Sequence, residues 1–519
     1  MRIHDFLDFF AREQPDAECI AFGGRIWTYG EVQADANRVA NALIAAGIAA
    51  GDRVAILAKN CPEYVAFYFG AFKAGAVPVP LNYRLAPAEW AFIINDAGAR
   101  MLLARGEYVA AVDGVRGELA SVGACVAIGA PAPNGWQGWD AWVAAQPATP
   151  PARDIAADAD AYQMYTSGTT GHPKGAVLQH RAVCSNVVQM MPIVNVQAGE
   201  RYLIVAPLYH AAAAISHFVA ISRGASLFVQ EDFVAGDVVR ALSEERLVVA
   251  LLVPAMIQAC LVMVPDVAER RYDALRTVIY GASPIAAETL RRAMDVFQCG
   301  FAQGFGMTET TAVLTVLTMA DHERALRERP ELLLSAGRPL LGTELKIVDE
   351  HDQPVPIGTI GEIAARGPQL MRGYWNLAEA TAKALAGGWM HTGDAGRLDG
   401  DGYLFIEDRV KDMVVSGGEN VYPREVENVL FQHPAVADAA VIGVPDAKWG
   451  EAVKAIVVLK AGAAATADEL IAFCRTQLGG YKLPRSVDFI AVLPRNPSGK
   501  VLKRELREPY WQGHTRRVS

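Results

Sequence analysis

Eleven residues, Tyr165-Thr166-Ser167-Gly168-Thr169-Thr170-Gly171-His172-Pro173-Lys174-Gly175, hold three glycines, four aliphatic hydroxyls and one lysine. Glycine lets the backbone turn freely and lets a ligand approach the main chain closely. Exposed N–H groups and hydroxyls can wrap an anion, and the Lys174 ammonium adds a point charge. This is chemistry suited to phosphates. A loop without a ligand has little need of four hydroxyls and a lysine together. The stretch is not a Walker A loop, because Pro173 stands where that motif needs its second glycine.

A phosphate loop needs a rigid scaffold, and the flanking sequence predicts one. Thr28-Tyr29-Gly30-Glu31 reads as a helix cap, with helical apolar spacing from Val32 to Ala46. Val54–Leu57 reads as a strand, Pro62 to Ala74 as a helix, and Val77–Leu81 as a strand whose prolines suit a sheet edge. Residues 126–160, rich in Ala, Pro and Gly, read as a surface connection. Beyond the loop, strands at Tyr202–Ala206, Leu227–Val229, Thr277–Tyr280 and Gly300–Gln303 each end in small or polar residues. Ligands of α/β sheets bind outside the carboxyl ends of strands, so these ends are expected to converge.

From about residue 337 the texture changes to short, glycine-rich strands, and a compact α+β segment follows Asp412. The expected architecture is α/β: a large multi-layer N-terminal domain (1–408) with a β-rich subdomain, a hinge (409–411), and a small mobile α+β C-terminal domain (412–519).

Bulk properties bound the function. A formal net charge of −9 leaves no basic excess for a nucleic-acid backbone. Seven scattered cysteines without a CxxC pair argue against a disulfide framework or zinc site and fit a reducing, cytoplasmic compartment. The N-terminal apolar run carries acids and lacks a signal-peptide pattern. Leu247–Val264 is nearly uncharged, but Pro254 splits it, which predicts a buried strand and then a helix rather than a membrane span. Peripheral membrane contact stays open, as does the choice between monomer and homodimer.

With these pieces in order, the sequence resembles the adenylate-forming acyl-CoA synthetases, a family that includes fatty-acyl and aryl CoA ligases and firefly luciferase. Five segments carry the resemblance: Tyr165–Gly175, Gly304-Phe305-Gly306-Met307-Thr308-Glu309, His391-Thr392-Gly393-Asp394, Asp408–Asp412 with Ser416–Asn420, and Pro494–Lys500. The resemblance implies two half-reactions. A carboxylate attacks the α-phosphorus of ATP, giving acyl-adenylate and pyrophosphate; the thiol of coenzyme A then displaces AMP. Bringing two anions together requires cations and oriented donors.

The resemblance implies these roles. Thr166, Ser167, Gly168, Thr169, Thr170, Gly171 and Lys174 would hold the outer phosphates. Lys500 would bridge substrate carboxylate and phosphate as the catalytic lysine. Thr308 and Glu309 would serve catalysis, with Thr166 and Glu309 holding Mg2+. Gly281, Ala282 and Ser283 would line one face of adenine and Phe305 would stack on it, with Gln303, Gly304, Gly306 and Met307 completing the nucleotide wall. Asp394 would accept the ribose hydroxyls, and Arg409 would add a ribose or phosphate contact. Lys411 would be the hinge about which the C-terminal domain rotates between half-reactions. Gly417, Gly418, Trp449, Tyr481 and Lys482 would meet coenzyme A.

His210, Ala211 and Ala214 border the expected acyl pocket, with His210 as gate or pocket wall. At Gly306, acetate-specific relatives place a tryptophan, so glycine implies room for a larger acyl group. A medium- or long-chain fatty acid is favoured, with an aryl acid of the cinnamate or ferulate kind as the alternative. Transfer to a carrier protein, a luciferase-like oxygenase, and a scaffold that has lost catalysis are the remaining readings.

Overall fold

A computed structural model describes residues 1–129, 131–166, 173–283, 285–409, 412–416, 419–446, 448–495 and 501–512. Among them the strands form five sheets. In the largest, six parallel strands run in the order Gly300–Phe305, Thr277–Gly281, Leu247–Leu251, Arg201–Ile204, Ser226–Val229, Glu18–Phe22. A second, all-parallel sheet has the order Val77–Pro80, Arg53–Leu57, Met101–Arg105, Ala124–Ile128, Gln137–Gly138. The proline-bearing strand Val77–Pro80 is an edge strand, because proline lacks the N–H that a central ladder needs.

Alternation along these strands builds the layers. Tyr202 and Ile204 enter a core shared with Val54, Ile56, Leu103 and Val126 of the second sheet. Their neighbours Leu203 and Val205 face a different core on the outer side. Ala55, Leu57, Leu102 and Ala104 face out from the second sheet in the same way. Side chains of successive strand residues point to opposite faces, so two sheets buried on both sides need hydrophobic residues at every position. Between the sheets lie the helices Tyr29–Ala45, Pro62–Ala74 and Ala211–Ile221, whose residues belong to the shared core. Helix Pro62–Ala74 is buried on every face except at Glu63, hence its run of Tyr, Phe, Val and Ala. The first of these helices starts at a capping box in which Thr28 and Glu31 satisfy each other's backbone N–H, as the sequence predicts.

The apolar run Leu247–Val264 resolves into strand Leu247–Leu251 and helix Pro254–Met263. No helix among the described residues is long and apolar enough to cross a membrane. Residues 126–160 depart from the expected surface connection. They supply the edge strand Gln137–Gly138 and the helix Trp139–Ala144, whose Trp139 and Trp142 are buried in the shared core. The apolar area of these indoles outweighs the turn-like composition around them.

A four-stranded antiparallel sheet has the order Glu344–Val348, Gly361–Arg366, Met390–Leu398, Leu404–Arg409. A three-stranded sheet joins Asp160–Thr166, Lys174–Gln179 and the two-residue strand Gly373–Tyr374. From Val414 the chain forms its own sheet around the long hairpin Val436–Asp446 and Gly450–Leu459, with a separate core. The architecture is α/β, with a large layered N-terminal part and a small α+β C-terminal part.

Candidate active site

A cleft of about 1730 Å3 opens at the carboxyl ends of the large sheet's central strands. After Arg201–Ile204 the chain adds Ser226–Val229 on one side, then crosses to place Leu247–Leu251 on the other. This reversal leaves a crevice where consecutive connections diverge, the position at which open α/β sheets bind ligands. Ala206, Pro207, His210, Leu251, Ile279–Ser283 and Gln303–Glu309 line it.

Its polar end is built around Glu309. Glu309 sits in the short 3-10 turn Thr308–Thr310, and Thr310 caps that turn by accepting from the Met307 N–H at 3.1 Å. The Glu309 carboxylate is buried, with Thr166 Oγ1 3.5 Å from its Oε1 and the Tyr374 hydroxyl donating to the same oxygen at 2.8 Å. Thr166 ends one strand of the loop hairpin and pairs across it with Lys174. The Lys174 ammonium lies 5.2 Å from the centroid of the Tyr374 ring. A carboxylate and a hydroxyl this close form the hard oxygen donor set that Mg2+ prefers.

The base of the hairpin is braced from behind. The Tyr165 hydroxyl donates to Asp96 at 2.5 Å. Burial and that carboxylate push the phenol well above its usual range, so it stays a donor. Arg53 donates to Gln163 and to Asp160, both at 3.1 Å, and its guanidinium lies 3.5 Å from the centre of the Trp375 ring.

The wall assigned to adenine comes from two adjacent strand ends. Gly281 and Gly304 stand opposite each other, and a Cβ on Gly281 would lie 2.2 Å from the Gly304 carbonyl oxygen. Only glycine permits that approach. Ala282 follows with φ of 65°, a strained left-handed conformation for a residue with a side chain. Behind it, His322 holds Tyr280. The imidazole Nδ1 donates to the Thr318 carbonyl at 2.8 Å, so Nε2 accepts from the Tyr280 hydroxyl at 2.8 Å.

Asp394 lines the cleft from strand Met390–Leu398, opposite Arg409 in the neighbouring strand. Its backbone N–H donates to Thr392 Oγ1 at 3.1 Å, and Thr392 Oγ1 donates to the Ile363 carbonyl at 2.8 Å. Glu362 holds the preceding turn by accepting from the Gly393 N–H and pairing with His391, both at 3.0 Å.

The apolar end follows helix Ala211–Ile221. Ala212, Ile215, Ser216 and Val219 face the cleft at the spacing of one helical stripe. Between Met190 and Ile279 the lining contains no Asp, Glu, Lys or Arg. His210 stands immediately before the helix, with its Nε2 buried and without a hydrogen-bond partner among the described residues. Burial, with a smaller effect from Arg84, pushes its pKa down to about 4, so the imidazole is neutral at pH 7. Ala211 lines the cleft, whereas Ala214 is fully buried and does not.

The structure sharpens the reading of Gly306. The residue lines the cleft, but a Cβ there would lie 2.2 Å from the Ala312 carbonyl oxygen. Glycine is therefore required by a backbone approach, independent of acyl size. Lys503 is mostly buried and pairs with buried Glu427 at 2.9 Å. Of the residues assigned to coenzyme A, Trp449 and Tyr481 are partly exposed and outside the cleft lining. Lys482 pairs with Glu425 at 2.7 Å. Ser167, Gly168, Thr169, Thr170, Gly171, Lys411, Gly417, Gly418 and Lys500, and the Arg409 side chain, lie outside the described residues. The flanks of the Lys500 segment, Arg495 and Val501, form an antiparallel bridge and both line the cleft.

Sequence reasoning missed Tyr374, Arg53 and Trp375, and the bracing role of Tyr165. The signal available was an aromatic pair, Tyr374-Trp375, after Gly373, which only the fold connects to the loop.

Comparison with known proteins agrees with this geometry. Residues 7–375 match the AMP-binding enzyme family and residues 425–500 the AMP-binding enzyme C-terminal domain. The chain is 40% identical over 501 residues to a feruloyl-CoA synthase from an Amycolatopsis species, covering 96% of this chain and 97% of that one. It is 37% identical over 490 residues to a long-chain-fatty-acid–CoA ligase of Mycobacterium tuberculosis, covering 93% of each. A solved anthranilate CoA ligase in complex with anthranoyl-AMP superposes with a TM-score of 0.90 at 28% identity, covering 99% of this chain and 98% of that one. The cleft, its motifs and these matches make the chain a member of the AMP-binding enzyme family, an adenylate-forming ligase of the acyl-CoA synthetase type.

Proposed function

We propose that the protein joins a medium- or long-chain fatty acid to coenzyme A with conversion of ATP to AMP and pyrophosphate. The observation that carries the substrate class is the uncharged wall between Met190 and Ile279, continuous with the polar end at Thr166 and Glu309. An acid bound with its tail on Ala212, Ile215 and Val219 presents its carboxylate toward the nucleotide. Burying an apolar tail there contributes about 25 cal/mol per Å2.

In this reading Glu309 and Thr166 hold Mg2+, which supplies positive charge against the phosphates when bound. Lys174 and the loop hydroxyls hold the departing pyrophosphate. Lys500 bridges the acid's carboxylate and the α-phosphate, so that the two anions meet at lower cost. The carboxylate oxygen bonds to the α-phosphorus as the bond to pyrophosphate breaks. After the C-terminal part reorients about Lys411, the thiol of coenzyme A attacks the acyl carbon and AMP leaves. Trp449 and Tyr481 offer exposed aromatic surface for that second substrate. A cytoplasmic location fits seven free cysteines.

A second reading, an aryl acid of the ferulate kind, is favoured by the 40% identity to a feruloyl-CoA synthase. Thioester formation from a panel of acids, acetate through long fatty acids to ferulate, separates the two. Highest kcat/KM with a fatty acid supports the proposal; highest kcat/KM with ferulate replaces it. AMP release that does not depend on coenzyme A would move the second step to another acceptor.

A further inference from the structure

We infer that Tyr374 is a positioning residue for the first half-reaction, orienting the Glu309 carboxylate with its hydroxyl and steadying the Lys174 ammonium with its ring. The inference rests on the ligase reading above and adds one residue to it.

The short strand Gly373–Tyr374 lies against the strand that leaves the phosphate loop, with Tyr374 opposite Ala176. Lys174 is two residues before Ala176 on that strand, so it shares a face with it and is a diagonal neighbour of Tyr374. That register brings the Lys174 ammonium to 5.2 Å from the ring centroid. The hydroxyl of the same ring reaches Glu309 Oε1 at 2.8 Å. One side chain therefore spans the loop lysine and the carboxylate assigned to the metal.

The placement is over-determined. The Tyr374 N–H donates to Thr381 Oγ1 at 2.9 Å, and the Trp375 N–H donates to the Gly175 carbonyl at 2.8 Å. The Trp375 indole N–H donates to the Asp96 carbonyl at 3.1 Å. Tyr374 cannot shift without disturbing the loop's outgoing strand. The hydroxyl donates to Glu309 Oε1, because a carboxylate oxygen can only accept. A donor held on one carboxylate oxygen fixes the plane in which both oxygens are offered. A ring face under an ammonium limits where the charge can move while leaving its N–H donors for phosphate.

The test uses the full chain with Mn2+ as metal probe and α,β-methylene ATP as a nucleotide that is not turned over, both followed by titration calorimetry. Tyr374→Phe removes only the hydroxyl. It is expected to weaken Mn2+ binding to the nucleotide complex by roughly 10–100-fold, the range for groups that orient metal ligands. Metal-free nucleotide affinity, KM for the acid and the thermal unfolding midpoint should stay at wild-type values. Tyr374→Leu also removes the ring and should weaken metal-free nucleotide binding by about two- to fivefold. Wild-type Mn2+ affinity in Tyr374→Phe overturns the inference, as does a uniform loss of acid, nucleotide and metal binding with a lowered unfolding midpoint. If the unmodified protein binds neither nucleotide nor Mn2+, the ligase reading fails and this role fails with it. If it binds both and only the variants are unaffected, the ligase reading stands and Tyr374 is removed from it.

Discussion

Thr166 Oγ1 lies 3.5 Å from Glu309 Oε1, although 143 residues separate them. The first ends a strand of the loop hairpin and the second occupies a 3-10 turn beyond the large sheet. Their meeting gives a generic anion cradle its own carboxylate, the group proposed above to hold a divalent cation.

Glu309→Gln keeps the shape and the acceptor toward Tyr374 while removing the charge. The Mg2+ concentration for half-maximal acid-dependent pyrophosphate release should rise at least roughly tenfold. An unchanged metal requirement would take Glu309 out of the metal site.

Lys500→Ala should lower adenylation by roughly 10²–10³-fold, the effect of losing one transition-state charge contact. Thioester formation from supplied acyl-adenylate should be largely intact. Equal losses in the two half-reactions would show that Lys500 acts on something common to both.

Ala212→Phe places bulk on the cleft-facing stripe of helix Ala211–Ile221. Overfilling costs about 1–3 kcal/mol. The kcat/KM for the longest acids accepted should fall roughly 10–100-fold while the shortest accepted acids change little. A uniform loss across chain length would separate this stripe from the acyl tail.

His217 has no exposed surface, its ring lies 5.6 Å from Tyr68, and burial lowers its pKa to about 3. An unfolded histidine titrates near 6.5, so between these values the unfolded chain binds the extra proton. Stability is thus held above about pH 6.5 and lost as pH falls toward 3, with a slope of up to about 1.4 kcal/mol per pH unit from this group. His217→Phe should flatten the acid limb of a stability-against-pH curve measured by chemical denaturation. An identical slope in variant and parent would assign the acid sensitivity elsewhere. His4, His180 and His210, also lowered by burial, act in the same direction.

Local signals in the sequence carried much of this fold. The Thr28–Glu31 cap, the Pro62 start and the Pro254 split each have a short-range physical cause, and each marks an element boundary in the structure. The small residue Gly281 was likewise readable as the end of a strand. Tyr374 was not, because its role depends on a two-residue strand pairing with a distant hairpin. The burial of Lys503 was not legible either, because its charge suits solvent and only the buried Glu427 explains its position. Trp139 and Trp142 were hidden by the loop-like composition around them.

The C-terminal sheet pairs with no strand of the N-terminal sheets among the described residues, and its helix Lys503–Trp511 is anchored within the same part by Lys503–Glu427 and Arg507–Asp412. In the proposed reading, the acyl pocket and the catalytic lysine therefore belong to pieces that fold around separate cores. For an engineer this is a natural seam: grafting a relative's C-terminal part after Arg409 should transplant turnover behaviour while the chamber's preference among acids is inherited from the first part.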